Sequence, residues 1–222
     1  DTIPDRLGLI LEIAGPDGDY RVKLDHFAFF QAENALAAAA IAIASGGDPS
    51  DSIQAIESLN QPRGRMQRAG TTPEGAQVYI DYAHKPGALE ACLNAIKLVT
   101  AGRVTVVFGC GGDRDRGKRG QMGEIAARLA DRVIVTDDNP RNEDPVAIRR
   151  AVLEGARGGE EIGDRRAAIK AAIEGLGKND ALLIAGKGHE QGQIFGTTYI
   201  PFDDLEEAKI ALSAITCKGD AT

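Results

Sequence analysis

The sequence predicts an α/β fold with a doubly wound, mostly parallel, Rossmann-like sheet, and three observations lead there. Four short runs, Gln77 to Ile80, Val104 to Phe108, Arg132 to Thr136 and Ala181 to Ala185, are nearly continuous in apolar residues, as strands buried on both faces are. Helical stretches separate the runs, and that alternation builds parallel sheets. Each run ends abruptly in a polar or glycine-rich loop, and in an open α/β sheet ligands bind outside the carboxyl ends of the strands.

In chain order, Leu7 to Ile13 and Tyr20 to Leu24 alternate around Gly15-Pro16-Asp17-Gly18, a hairpin signal. Phe30 to Ser45 reads as an alanine-rich helix ended by Gly46-Gly47, and Pro49-Ser50-Asp51 opens a second helix through Leu59. These helices are apolar on too many sides to stand beside one hairpin. Residues 1–67 are therefore expected to be the closing part of a domain, and residues 68–222 a complete doubly wound domain. In the latter, helices are expected over Pro86 to Thr100, Lys118 to Ala130, Pro145 to Ala156, Arg165 to Leu176 and Asp204 to Ala214. Asp144-Pro145 and Asp164 serve as start signals.

Composition narrows the function. With 222 residues and 43% hydrophobic content the chain can bury a real core, and no apolar stretch reaches the roughly 18 residues of a membrane span. A net charge of −7 argues against broad binding to nucleic acid or anionic membranes. The start lacks the basic flank and apolar segment of a signal peptide, so a cytoplasmic location is expected. Cys92, Cys110 and Cys217 are too few and scattered for a disulfide framework or a metal site. Cys110 reads as a packing residue at a strand end, since no base neighbours it in sequence.

The strand-end loops bring Asp81, His84, Arg114, Asp138, Arg141, Lys187 and Glu190 to one sheet edge, which suits a small ligand carrying both signs of charge. Gly112 to Arg119 nearly matches the phosphate-binding pattern G-x-x-x-x-G-K-[ST], but Arg119 stands where a Mg²⁺-binding hydroxyl belongs, and Asp113 and Asp115 repel phosphate. The segment reads instead as an arginine-rich loop offering Arg114 to a carboxylate, or as a solvated turn. Pro140 stiffens the turn Asp138-Asn139-Pro140-Arg141. Gly186 and Gly188 let backbone approach a ligand near Glu190, while His189 reads as a structural donor. His84 is read either as lying near nucleotide or as a packing group, Lys85 as facing solvent, and His26 as part of a partly buried face.

Five ordered motifs, Gly64-Arg65-Met66, Asp81-Tyr82-Ala83-His84-x-Pro86, Gly109 to Asp115, Asp138 to Arg141 and Gly186 to Glu190, resemble those of the Mur ligase family. The resemblance covers nearly the whole chain. It implies the tail of a central ATPase domain followed by a C-terminal amino-acid-binding domain, with the family's P-loop and carbamylated lysine lying upstream. It further implies an ATP- and Mg²⁺-dependent ligase that joins meso-diaminopimelate to a UDP-N-acetylmuramoyl dipeptide through an acyl phosphate. On the family pattern, Asn34, Arg65, Asp81 and His84 are expected to contact ATP. Arg114, Asp138, Asn139, Pro140, Arg141, Gly186 and Glu190 are expected to hold diaminopimelate. No catalytic or metal-binding residue is assigned within the chain, which is expected to be inactive alone. The alternatives are a stand-alone amino-acid-binding module or a lysine-adding ligase; a dinucleotide oxidoreductase lacks its G-x-G-x-x-G after the first strand.

Overall fold

The computed structural model describes residues 2–5, 8–15, 18–26 and 28–219. Leu7, the turn residues Pro16 and Asp17, Phe27 and the side chain of Cys217 lie outside the described residues. The chain divides into two compact units, Asp1–Gln61 and Pro62–Thr222.

The first unit is a three-stranded antiparallel sheet, β1 (Thr2–Asp5), β2 (Gly8–Gly15) and β3 (Gly18–Leu24), with helices α1 (Phe29–Ala44) and α2 (Pro49–Gln54). Leu9, Leu11, Val22 and Leu24 alternate onto one face and pack against Ala32, Ala35 and Ala39 of α1. The small alanines let helix and sheet approach closely. Asp48 caps α2, its side chain accepting from the Asp51 amide at 3.0 Å. The second helix stops at Gln54 and tightens into a 3-10 turn, Ala55–Ser58, short of the expected Leu59. His26 is fully buried, its Nδ1 accepting from the Ala28 amide at 3.2 Å.

The second unit holds a six-stranded sheet in the order β4-β5-β9-β6-β7-β8. Its strands are β4 (Gln67–Thr71), β5 (Gln77–Asp81), β6 (Val104–Phe108), β7 (Arg132–Val135), β8 (Glu160–Glu161) and β9 (Ala181–Ala185). All neighbours pair in parallel except β4, which runs antiparallel along β5. Helices α3 (Pro86–Val99), α4 (Lys118–Leu129), α5 (Pro145–Leu153), α6 (Arg165–Glu174) and α7 (Asp204–Gly219) follow the expected pattern to within a few residues, except that α7 extends five residues beyond the expected Ala214. Val78, Ile80, Leu182 and Ile184 pack with Ile169, Ile173 and Ala208 of α6 and α7. Their neighbours in the strands point to the opposite face, so the inner strands β5, β9, β6 and β7 are covered on both sides, while the edge strands β4 and β8 are not.

Strand β9 lies between β5 and β6, although those two are consecutive in the sequence. The carboxyl ends of β5, β9, β6 and β7 thus stand side by side, each opening into one motif loop. A further hairpin, β10 (Gly192–Phe195) and β11 (Thr198–Pro201), follows β9.

Candidate amino-acid site at the sheet edge

The loops after β6 and β7 are locked together. The Gly112 amide donates to Asn139 O at 2.8 Å, and Arg141 Nη1 donates to Gly112 O at 2.9 Å. Asp113 Oδ2 accepts from the Asn142 side-chain amide at 2.8 Å. Asp113 and Arg141 both take left-handed backbone angles, φ 54° and 51°, a conformation costly for residues with a Cβ and held only where surroundings fix it.

Glu143 fastens the base of the two loops. It accepts the Asp113 amide at 2.7 Å, forms a two-pronged pair with buried Arg119 (Nη2 to Oε1 3.0 Å, Nη1 to Oε2 3.1 Å), and meets Arg116 at 3.1 Å. Arg119 also donates to Gly111 O at 3.3 Å. The P-loop-like segment is thus a structural latch: its first glycine, Gly112, packs against Pro140 and its last residue holds a carboxylate. The Arg119 guanidinium, with the Asp113 amide, holds the Glu143 carboxyl at about 2, below its usual 4.5. A depressed carboxylate stabilises the fold above its unfolded value and loses that contribution as pH falls through the folded one. The deficit of Glu143→Gln relative to wild type, measured by urea unfolding, is expected to be constant above the usual carboxylate range and to shrink as pH falls from 4.5 towards 2. A deficit independent of pH would rule out the ion pairs as its source.

Asp138 and Asn139 are buried at the end of β7. Asn139 Nδ2 donates to Glu190 Oε2 at 3.0 Å, and Asn139 Oδ1 accepts from Lys187 Nζ at 3.1 Å and from the Ile194 amide at 3.0 Å. The hairpin β10–β11 grips the same loop from the other side. The Arg141 amide donates to Ile194 O at 2.9 Å, the Gly196 amide donates to Arg141 O at 2.7 Å, and Gln193 Nε2 donates to Asp138 O at 3.0 Å. Gly186, with φ 112°, lies against Asp138. Arg114 is exposed, donating to Asp113 O at 3.1 Å, and Pro140 is buried against Gly112. The structure therefore brings together Arg114, Asp138, Asn139, Pro140, Arg141, Gly186 and Glu190.

A second group forms at the end of β5. The guanidinium of Arg65 lies 4.8 Å from the centre of the Tyr82 ring, which also touches the rings of His84 at 4.5 Å and His189 at 5.0 Å. Asp81 is buried beneath them, with Oδ2 accepting the Met66 amide at 2.7 Å and Oδ1 the Ala83 amide at 2.6 Å. Burial pushes its pKa up, and those amides, with Cys92 and Arg65, oppose the shift. Asp81 thus shapes the turn that carries Arg65. Gly64 and Gly188 meet at backbone contact with φ 65° and 55°, where neither has room for a Cβ. His84 Nδ1 is 2.9 Å from Tyr82 O, and Lys85 is exposed. Asn34 belongs to the first unit, on α1, bonded to Gln31 at 3.0 Å.

Cys110 is buried with its sulfur 3.8 Å from Met122 Sδ, and burial pushes its thiol up to about 11, so it packs rather than attacks. Sequence reasoning missed the roles of Glu143, Arg119 and Gln193, whose partners are distant in sequence.

The chain is 52% identical over 196 residues to the UDP-N-acetylmuramoyl-L-alanyl-D-glutamate–2,6-diaminopimelate ligase of Caulobacter vibrioides, a match covering 88% of this chain and 40% of that protein. The same-named ligase of a Chelativorans strain is 54% identical over 197 residues, covering 89% and 41%. The chain thus spans about 40% of the length of these relatives. A solved structure of a ligase with that name superposes with a TM-score of 0.70 at 37% identity, over 96% of this chain and 44% of that one. The UDP-N-acetylmuramate–alanine ligase of Thermotoga maritima shares the fold, with a TM-score of 0.66 at 19% identity, over 96% of this chain and 44% of that one. Residues 64–188 match the family model for the Mur ligase, glutamate ligase domain, and the chain belongs to the Mur ligase family.

Proposed function

We propose that this chain is the amino-acid-binding end of an ATP-dependent ligase that adds meso-diaminopimelate to UDP-N-acetylmuramoyl-L-alanyl-D-glutamate in peptidoglycan-precursor synthesis. The observation that carries the reading is that the loop bearing Arg114 is bonded to the turn Asp138–Arg141 through Gly112, and that turn to Glu190 through Asn139, so residues of both charge signs share one sheet edge. Diaminopimelate has two ammonium and two carboxylate groups. Arginines suit its carboxylates and the acids its ammonium groups.

In this reading the second unit is the amino-acid-binding domain and the first the closing part of the ATP-binding domain. ATP is a co-substrate: its phosphoryl group turns the dipeptide carboxylate into an acyl phosphate. The amine nitrogen of diaminopimelate then bonds to the acyl carbon, and phosphate and a proton leave. The chain's own contribution is to orient the amine, worth much of such a barrier. Exposed Arg65, with Tyr82 and His84, fits an anionic nucleotide. The segment Gly112 to Arg119 does not fit a triphosphate, because its backbone and Arg119 are already engaged. We assign Mg²⁺ to no residue of this chain. Among the described residues no helix is long and apolar enough to cross a membrane, and we place the reaction in the cytoplasm with its nucleotide-linked substrates.

The test is calorimetric titration of the chain with meso-diaminopimelate and with L-lysine. Lysine lacks the distal carboxylate, so Arg141→Ala is expected to weaken meso-diaminopimelate by about 10- to 150-fold, the worth of one charge-assisted partner, and lysine far less. Equal losses would remove Arg141 from specificity.

A further inference from the structure

Lysine is almost never fully buried unless paired, yet Lys187 is 0% exposed, between two glycines with φ 112° and 55°. Its ammonium donates to Gly192 O at 2.6 Å and Asn139 Oδ1 at 3.1 Å, and pairs with Asp138 Oδ1 at 3.0 Å. Glu190 Oε2 stands 3.7 Å away. Replacing a buried ion pair by apolar residues is often neutral or stabilising, so packing alone gives little reason for a charge here.

We infer that Lys187 is a positioning residue for the amino-acid site, setting the orientation of the Asn139 side chain and, through it, the carboxylate of Glu190. This rests on the proposed reading of Asp138, Asn139 and Glu190 as ligand-binding groups. An asparagine amide has one accepting and one donating end, and two flips that look alike in shape. Here two donors, Lys187 Nζ and the Ile194 amide, converge on one end, so that end is the oxygen. The NH₂ end is thereby aimed at Glu190 Oε2. One Glu190 oxygen is engaged, and its side chain, 36% exposed, remains open to a ligand. Lys187 also offsets one of the two acids, so the three groups carry a single net negative charge. That matches one substrate ammonium, where two unshielded carboxylates would repel each other. Through Gly192 O the same ammonium ties in the hairpin that holds Arg141.

Lys187→Met in the 222-residue chain removes the donor and the charge. Two readings decide the inference: the side-chain NH₂ resonances of Asn139, with hydrogen exchange of the Ile194 amide, and the affinity for meso-diaminopimelate. The Asn139 resonances are expected to shift and Ile194 exchange to quicken by about tenfold or more, while exchange at Val106 in the central sheet stays as in wild type; affinity falls by about tenfold or more. A lysine that only supported the fold would quicken exchange throughout the second unit and leave no selective change at Asn139. Unchanged Asn139 resonances and Ile194 exchange would overturn the inference whether or not diaminopimelate binds. If those readings change as expected but the wild type takes up no meso-diaminopimelate, the positioning role stands and the ligand assignment falls. Should Lys187→Met fail to fold, Lys187→Gln, which removes the charge and keeps an amide donor, is read in the same way.

Discussion

Arg165→Met is expected to lower the unfolding free energy of the second unit by about 3–5 kcal/mol, the usual cost of breaking a buried ion pair from one side. Arg165 opens α6 and Asp204 opens α7, and both side chains are 0% exposed. The guanidinium grips the carboxylate through two bonds of 2.7 Å, and Nη2 also donates to Ala185 O at 2.9 Å, at the end of β9. One group thus joins two helix starts to the central strand just before the Gly186 loop. Removing the arginine strands a carboxylate in the core and leaves a strand-end carbonyl without its donor. Urea unfolding of the single variant, set beside Arg165→Met/Asp204→Leu, separates pairing from packing. The double variant is expected to recover most of the loss, because neither charge then remains buried alone. A single variant within about 0.5 kcal/mol of wild type, the range of ordinary surface changes, would show that the pair contributes little.

Gly112→Ala is expected to cost about 1–3 kcal/mol by overpacking and to weaken meso-diaminopimelate by more than about tenfold. A Cβ at Gly112 falls inside the Pro140 carbonyl oxygen, which is rigid backbone, and lies 3.2 Å from Glu143 Cβ. The Asp138–Arg141 turn must move, and with it the bonds of Gly112 to Asn139 and Arg141. Gly87 in α3 is the control, since a Cβ there meets nothing within 4 Å and alanine also restricts the unfolded chain. Gly87→Ala should hold or raise the unfolding midpoint and leave the titration unchanged. Equal behaviour of the two variants would mean that the loops yield without cost.

These variants also mark how far the sequence was legible. The buried strands announced themselves because β5, β6, β7 and β9 are covered on both faces and must be apolar throughout. Edge strand β4, Gln67–Thr71, has only partly covered residues and a register shift, so it carried no such signal. The hairpin β10–β11 escaped for the same reason: Tyr199 and Ile200 are exposed, and much of its bonding is to a loop more than fifty residues earlier. The loops bearing Arg114, Asp138, Arg141 and Glu190 were legible because strand ends set their place. What fastens them was not, since nothing local to Arg119 reveals that Glu143 lies beneath it. The phosphate-loop pattern misled because glycine allows close backbone approach to anything, and here the neighbour is Pro140.

The insertion of β9 between β5 and β6 also bears on how the chain is made. During synthesis from the amino end, β5 starts 104 residues and β6 77 residues before their shared neighbour, and neither can pair with the other in the final sheet. Until residues 181–185 leave the ribosome, the inner edges of both strands remain open to wrong partners. The same late segment delivers Lys187 and Glu190 to the waiting loops. Closing the sheet and finishing the site are therefore one event, and a nascent chain stalled before Ala181 has neither.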